Sequence, residues 1–170
     1  MSAANKFRAI GIAITAAIYF IDQKLKGYVV DDLGLKAIGD NYPLLPFFDF
    51  TRTNNYGVSL GMFEATSMEM RWALVAVTGL IACVVLYLML RERRLGDIIA
   101  YAMILGGALG NIRDRFAYGY VIDFADFHIG EFRPFLIFNV ADAAISIGVV
   151  IILARALFMR EKPDDEQSAA

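Results

Sequence analysis

Four stretches of this chain are apolar for long enough to cross a bilayer, which takes about 20 mostly apolar residues. They run from about Phe7 to Leu25, Trp72 to Leu90, Leu95 to Ile112 and Ile137 to Leu157. The second carries no charge. The others keep their polar residues near their ends: Arg8, Asp22 and Lys24 in the first, Asp97 and Asn111 in the third, Asn139 and Asp142 in the fourth. The pattern predicts a membrane α-helical fold of four transmembrane helices, one domain over residues 1–160. The first stretch leads into Phe20-Ile21-Asp22-Gln23-Lys24 and not into a small-residue cleavage site, so it reads as a retained span.

The segment from about 27 to 70 is too long for a bare turn. It holds alternating and aromatic text, Tyr42-Pro43-Leu44-Leu45-Pro46-Phe47-Phe48-Asp49-Phe50-Thr51-Arg52-Thr53, then a turn signal at Asn55-Tyr56-Gly57. A small extracytoplasmic β-sheet is expected here, inserted between helices 1 and 2. Val121 to Phe138 is expected to add a strand or a hairpin, and the polar tail 161–170 to be disordered. Phe47, Phe48, Phe50, Tyr56 and Phe63 read as an interfacial aromatic belt.

Composition agrees with the span count. The chain has 170 residues, of which 58% are hydrophobic, against roughly 45–50% in soluble domains. The net charge of −2 gives no reason to expect nucleic acid as a partner. The single cysteine, Cys83, lies in an apolar run and reads as buried, with no disulfide framework. The single histidine, His128, has no companion ligand nearby, so no zinc site is expected.

Four spans in series place the end of span one, the start of span two, the end of span three and the start of span four on one side. Asp22, Asn111, Asp114, Asn139 and Asp142 all fall there, and so does the loop that carries Asp123. The arginine-dense loop Arg91-Glu92-Arg93-Arg94, with Lys6, Arg8, Arg160 and Lys162 near the termini, marks the opposite side as cytoplasmic. Both termini are therefore expected inside. The outer side also carries Lys24, Lys26, Lys36, Arg52, Arg71, Arg113, Arg115 and Arg133, spread through longer segments or set beside acids.

Asp123 and Asp142 are carboxylates in apolar runs, Val121-Ile122-Asp123-Phe124 and Phe138-Asn139-Val140-Ala141-Asp142. An ionisable group at membrane depth costs about 2.5–3.5 kcal/mol on insertion scales, so its default reading is functional. A blander reading stays open for each. Asn139 can cap a helix with Asp142 at its third position, and Asp123 can be an edge-strand acid. Read together, they suggest general acid–base chemistry. Two adjacent carboxylates cannot both ionise cheaply, so one holds a proton while the other can activate a water. Such chemistry needs no cofactor. Gly106-Gly107-Ala108-Leu109-Gly110-Asn111-Ile112-Arg113-Asp114-Arg115 adds a close-packing glycine pair, an amide (Asn111) that can orient substrate or an acid, and Arg115, which can pair with Asp114 or another nearby acid. At the end of span one, Asp22-Gln23-Lys24 reads equally as an interfacial cap, and an Asp22–Lys24 pair there would be solvated and weak.

These pieces, with Asp22-Gln23-Lys24 and Asn55-Tyr56-Gly57, run in the order and the four-span frame of the lipoprotein signal peptidases, also called signal peptidase II, which the chain resembles over nearly its whole length. It departs from the usual pattern at Tyr56 and Leu60. The resemblance implies an intramembrane aspartic endopeptidase of the bacterial inner membrane. Such an enzyme cuts the signal peptide from diacylglyceryl-modified prolipoproteins before the lipidated cysteine, with its site at the periplasmic face. It implies catalytic Asp123 and Asp142, supporting roles for Asp22, Asn55, Gly57, Asn111, Asp114, Arg115 and Asn139, and no cofactor. Membrane lipid is an expected partner, and a monomer is the expected state. Two other readings use the same residues: a small proton-coupled transporter and a non-catalytic membrane scaffold.

Overall fold

The computed structural model describes residues 3–58, 63–64 and 68–158. The tail 161–170, Arg160, Lys162, Leu60 and the side chain of Phe63 lie outside the described residues. Four helices are long and apolar enough to span a membrane. They are α1 (Ala3–Gly27), α2 (Met68–Arg91), α3 (Leu95–Tyr118) and α4 (Val140–Phe158). A π-helical turn, Tyr28–Asp32, extends α1 beyond the expected end at Leu25. Helix α3 also outruns its apolar stretch, because Asn111, Asp114 and Arg115 continue it as a buried polar face.

Helix α3 packs against each of the other three, and its small residues are the reason. A Cβ on Gly106 would lie 2.8 Å from the Thr15 carbonyl oxygen of α1, and one on Gly107 would run into the Ala141 carbonyl of α4. Glycine removes the side chains that would hold these backbones apart. Helix α2 is apolar on all faces and packs chiefly on α3. Val77, Leu80, Val84 and Tyr87 are left facing outward, as suits a helix bathed in lipid. Cys83 is exposed on the same helix, not buried. An apolar run in a membrane marks a lipid-facing surface as readily as a core.

The sheet is antiparallel, in the order β1 (Asn41–Leu45), β2 (Phe48–Asn55), β5 (Val121–Phe127). A two-residue pair, β3 (Gly57–Val58) with β4 (Phe63–Glu64), follows β2. Strand β5 comes from the segment after α3, so the insertion and the later loop share one sheet. Gly119 makes this possible. With φ +88° it caps α3, and its N–H donates to Arg115 O at 3.1 Å, so the chain can reverse into β5. Phe50 meets Phe124 edge-on at 5.4 Å, above Val29 and Leu35. Phe48 and Phe50 thus pack against the sheet's own core, while Phe47 and Tyr56 remain exposed.

Candidate active site

Asp142 is set by the start of α4. Asn139 precedes the helix, and its Oδ1 accepts the Asp142 backbone N–H at 2.9 Å. The Asp142 carboxylate reaches back to the Asn139 N–H at 3.4 Å. This is a reciprocal capping box, so the bland reading of these two residues is correct as far as it goes. It does not exhaust them. The second oxygen of Asp142 accepts from Asn111 Nδ2 at 2.8 Å, which ties α4 to α3.

Asp123 is set by β5, where it lies opposite Thr53 of β2. Asn139 is fully buried, and its Nδ2 donates to Asp123 Oδ1 at 2.6 Å. It also lies within reach of Asn111 Oδ1 and Ile122 O, at 3.2 and 3.3 Å. One asparagine therefore holds both aspartates: its amide nitrogen donates to the Asp123 carboxylate, its backbone N–H donates to the Asp142 carboxylate, and its amide oxygen accepts the Asp142 backbone N–H. The Asn55 side chain, at the end of β2, also hydrogen-bonds Asp123. Asn55 Oδ1 accepts the Gly57 N–H at 3.1 Å, and Arg115 Nη2 donates to Gly57 O at 2.9 Å. Arg115 thus braces the Asn55–Gly57 turn, and no ion pair joins it to Asp114 or to another acid among the described residues. Adjacent helix residues point to different faces, so a pair with Asp114 was geometrically unfavourable.

Asp22 and Asp114 lie behind this site. Both are fully buried, and Lys26 Nζ sits 2.8 Å from a carboxylate oxygen of each. Gln23 Nε2 bridges the same two acids at 3.1 Å. Asp22 accepts the Ala141 N–H at 3.0 Å and so anchors the first turn of α4; Asp114 accepts the Ile122 N–H at 3.3 Å and so anchors β5. In place of an interfacial cap or a solvated Asp22–Lys24 pair, the structure holds a buried Asp22–Lys26–Asp114 triad. Lys26 was missed as a supporting residue, although the i,i+4 spacing from Asp22 is the one that brings helix side chains together. A Cβ on Gly110 would come 2.6 Å from Asp22 Oδ2, so this glycine makes room for the triad. Gly110→Ala is expected to cost about 1–3 kcal/mol through overpacking. Gly79→Ala, on α2 with nothing within 4 Å of its Cβ, should change thermal unfolding in detergent very little.

Burial raises the Asp123 carboxyl from its ordinary 3.8 to about 7; the Asp142 charge adds to this, and hydrogen bonds from Asn55 and Asn139 oppose it. Between those values the folded protein holds a proton that the unfolded chain has released. This contribution to stability is complete below 3.8, declines as pH rises, and is gone above about 7. Its slope is at most about 1.4 kcal/mol per pH unit. Asp123→Asn should remove that slope. Denaturation midpoints followed from pH 4 to 7.5 check this, and identical slopes in both proteins would contradict it.

Fold and site together define a class: a multi-pass membrane protein whose helix bundle and small sheet gather two aspartates around one asparagine. The chain belongs to the signal peptidase II family, whose model, described as "Signal peptidase (SPase) II", matches residues 14–158. It is 50% identical over 161 residues to the lipoprotein signal peptidase of Sphingopyxis alaskensis, covering 95% of this chain and 92% of the relative. It is 46% identical to that of Rhizorhabdus wittichii, covering 91% and 89%. A solved bacterial membrane enzyme superposes with a TM-score of 0.78 at 27% identity, covering 95% of both chains. The protein is accordingly a multi-pass bacterial membrane peptidase, and the transporter and scaffold readings are not favoured.

Proposed function

We propose that this protein removes the signal peptide from diacylglyceryl-modified prolipoproteins, cutting before the lipidated cysteine, with Asp123 and Asp142 as its catalytic pair. The observation that carries the proposal is that Asn139 donates to both carboxylates, to Asp123 by its amide and to Asp142 by its backbone N–H, in a chain of this peptidase family. Asp142 accepts hydrogen bonds from Asn111 and from the Asn139 backbone, the acceptor pattern of an ionised carboxylate. Asp123, pushed up to about 7, carries the shared proton. Asp142 takes a proton from a water, whose oxygen attacks the scissile carbonyl carbon. Asp123 donates its proton to the carbonyl oxygen. As the tetrahedral intermediate collapses, Asp142 passes its proton to the departing nitrogen and Asp123 recovers one from the hydroxyl. Water is consumed, and one acid and one amine are formed.

The site lies at one end of the bundle, where α3 runs into β5 and α4 begins. With both termini cytoplasmic, that end is periplasmic, in the bacterial inner membrane, and the chain acts as a monomer. A lipidated substrate reaches it with its acyl chains still in the bilayer. Each buried CH₂ contributes about 0.8 kcal/mol, so a prolipoprotein lacking the diacylglyceryl group should be cut at least 100-fold less efficiently. Cleavage of matched lipidated and unlipidated substrates by the purified protein, read by product mass, tests the proposal. Equal kcat/KM for the two, or cleavage elsewhere than before the modified cysteine, would overturn it.

A further inference from the structure

A second polar feature lies apart from the carboxylates. An open groove of about 650 Å³ runs between the end of α1, the π-helical turn, β2 and the end of α3. Five cationic side chains line it (Lys24, Lys26, Lys36, Arg52 and Arg113) against two carboxylates, Asp31 and Asp32. Lys26 is committed to Asp22 and Asp114, and Arg113 lies 3.5 Å from Asp114 and donates to the Tyr118 hydroxyl. Lys24 and Lys36 are exposed and form no ion pair among the described residues.

Arg52 is the unusual member. It is only 4% exposed, yet no carboxylate among the described residues pairs with it. Its Nη1 donates to the neighbouring Thr53 carbonyl at 2.6 Å, its guanidinium lies 5.6 Å from the Tyr120 ring, and its Nε has no partner. Buried charges are ordinarily paired, because an unpaired one forfeits its hydration. The backbone holds Arg52 there. The β2–β5 register shifts between Phe50 and Thr53, so Thr51 and Arg52 together oppose Phe124. Such a bulge re-aims a side chain.

We propose that this groove binds the phosphodiester headgroup of an anionic phospholipid, with Arg52 as its inner anchor and Lys24 and Lys36 at its rim. Guanidinium forks match phosphate oxygens, and lysines near a membrane surface attract anionic lipid. The groove opens where spans end, beside exposed Phe20 and about half-exposed Tyr28 and Tyr118. Aromatic rings at that level mark the bilayer interface, so acyl chains can continue downward along α1 while the headgroup stays in the groove.

The test is native mass spectrometry of the purified full chain in neutral detergent, titrated with phosphatidylglycerol and, separately, phosphatidylcholine. Phosphatidylglycerol should bind about tenfold more tightly, and Arg52→Gln should weaken it about tenfold. Lys36→Gln, at an exposed position, should weaken it about fivefold whether or not the Arg52 variant folds. Millimolar inorganic phosphate should leave the bound lipid in place. Equal binding of the two lipids, no loss in Lys36→Gln, or displacement by inorganic phosphate would each overturn the assignment. The readout is independent of peptide cleavage, so it stands apart from the catalytic proposal.

Discussion

Asp123→Asn and Asp142→Asn are each expected to yield folded protein whose cleavage of a lipid-modified prolipoprotein falls by about 10³-fold or more. Asparagine matches aspartate in size. At position 123 its amide oxygen can still accept from Asn139, as Asp123 Oδ1 does at 2.6 Å. At position 142 the backbone N–H that meets Asn139 Oδ1 is untouched. What disappears is the exchangeable proton. An amide can neither take a proton from water nor return one to the leaving nitrogen. The two losses should not add, because the residues act as one unit, and the double variant should resemble either single one. Single-turnover cleavage in detergent, with helix content as the folding check, measures this. Normal turnover by either folded variant would remove its aspartate from the mechanism.

The second large effect concerns stability. Lys26→Met is expected to cost about 3–5 kcal/mol, the usual result of breaking a buried ion pair from one side. Asp22 and Asp114 would be left as two buried carboxylates with Gln23, backbone N–H groups and, for Asp114, the half-exposed Arg113 at 3.5 Å for company. Both acids hold elements of the site: Asp22 the first turn of α4, Asp114 the start of β5. Activity should therefore fall with stability. Adding Asp114→Asn to Lys26→Met should restore part of the loss by removing one uncompensated charge. Thermal or denaturant unfolding of the three proteins decides the matter. A Lys26→Met protein as stable as the parent would show that the triad does not hold these elements.

The spans were legible because a bilayer demands long apolar runs, and the four helices fall on the four runs. Their ends were less so. Hydropathy stops at Leu25 and Ile112, whereas α1 and α3 continue through buried polar faces to Gly27 and Tyr118. The clustering of Asp123, Asn139 and Asp142 followed from span order alone. The grip of Asn139 on Asp123 did not, since it depends on where β5 settles against β2, a pairing set by tertiary packing across roughly 70 residues of chain. Lys26 was readable from helix spacing. Arg52 was visible only as one of several cations on the side expected to face outward. Its burial arises from a bulge that no local pattern announces.

The most direct check on the paired aspartates is an infrared titration of the protonated-carboxyl band in the parent protein and in Asp142→Asn. Asp123 should lose its proton at about pH 7 in the parent. In Asp142→Asn the midpoint should move to lower pH, because the neighbouring charge that helps retain the proton is gone. A titration of Asp123 near 3.8 in the parent, or a midpoint unmoved by Asp142→Asn, would contradict the pairing.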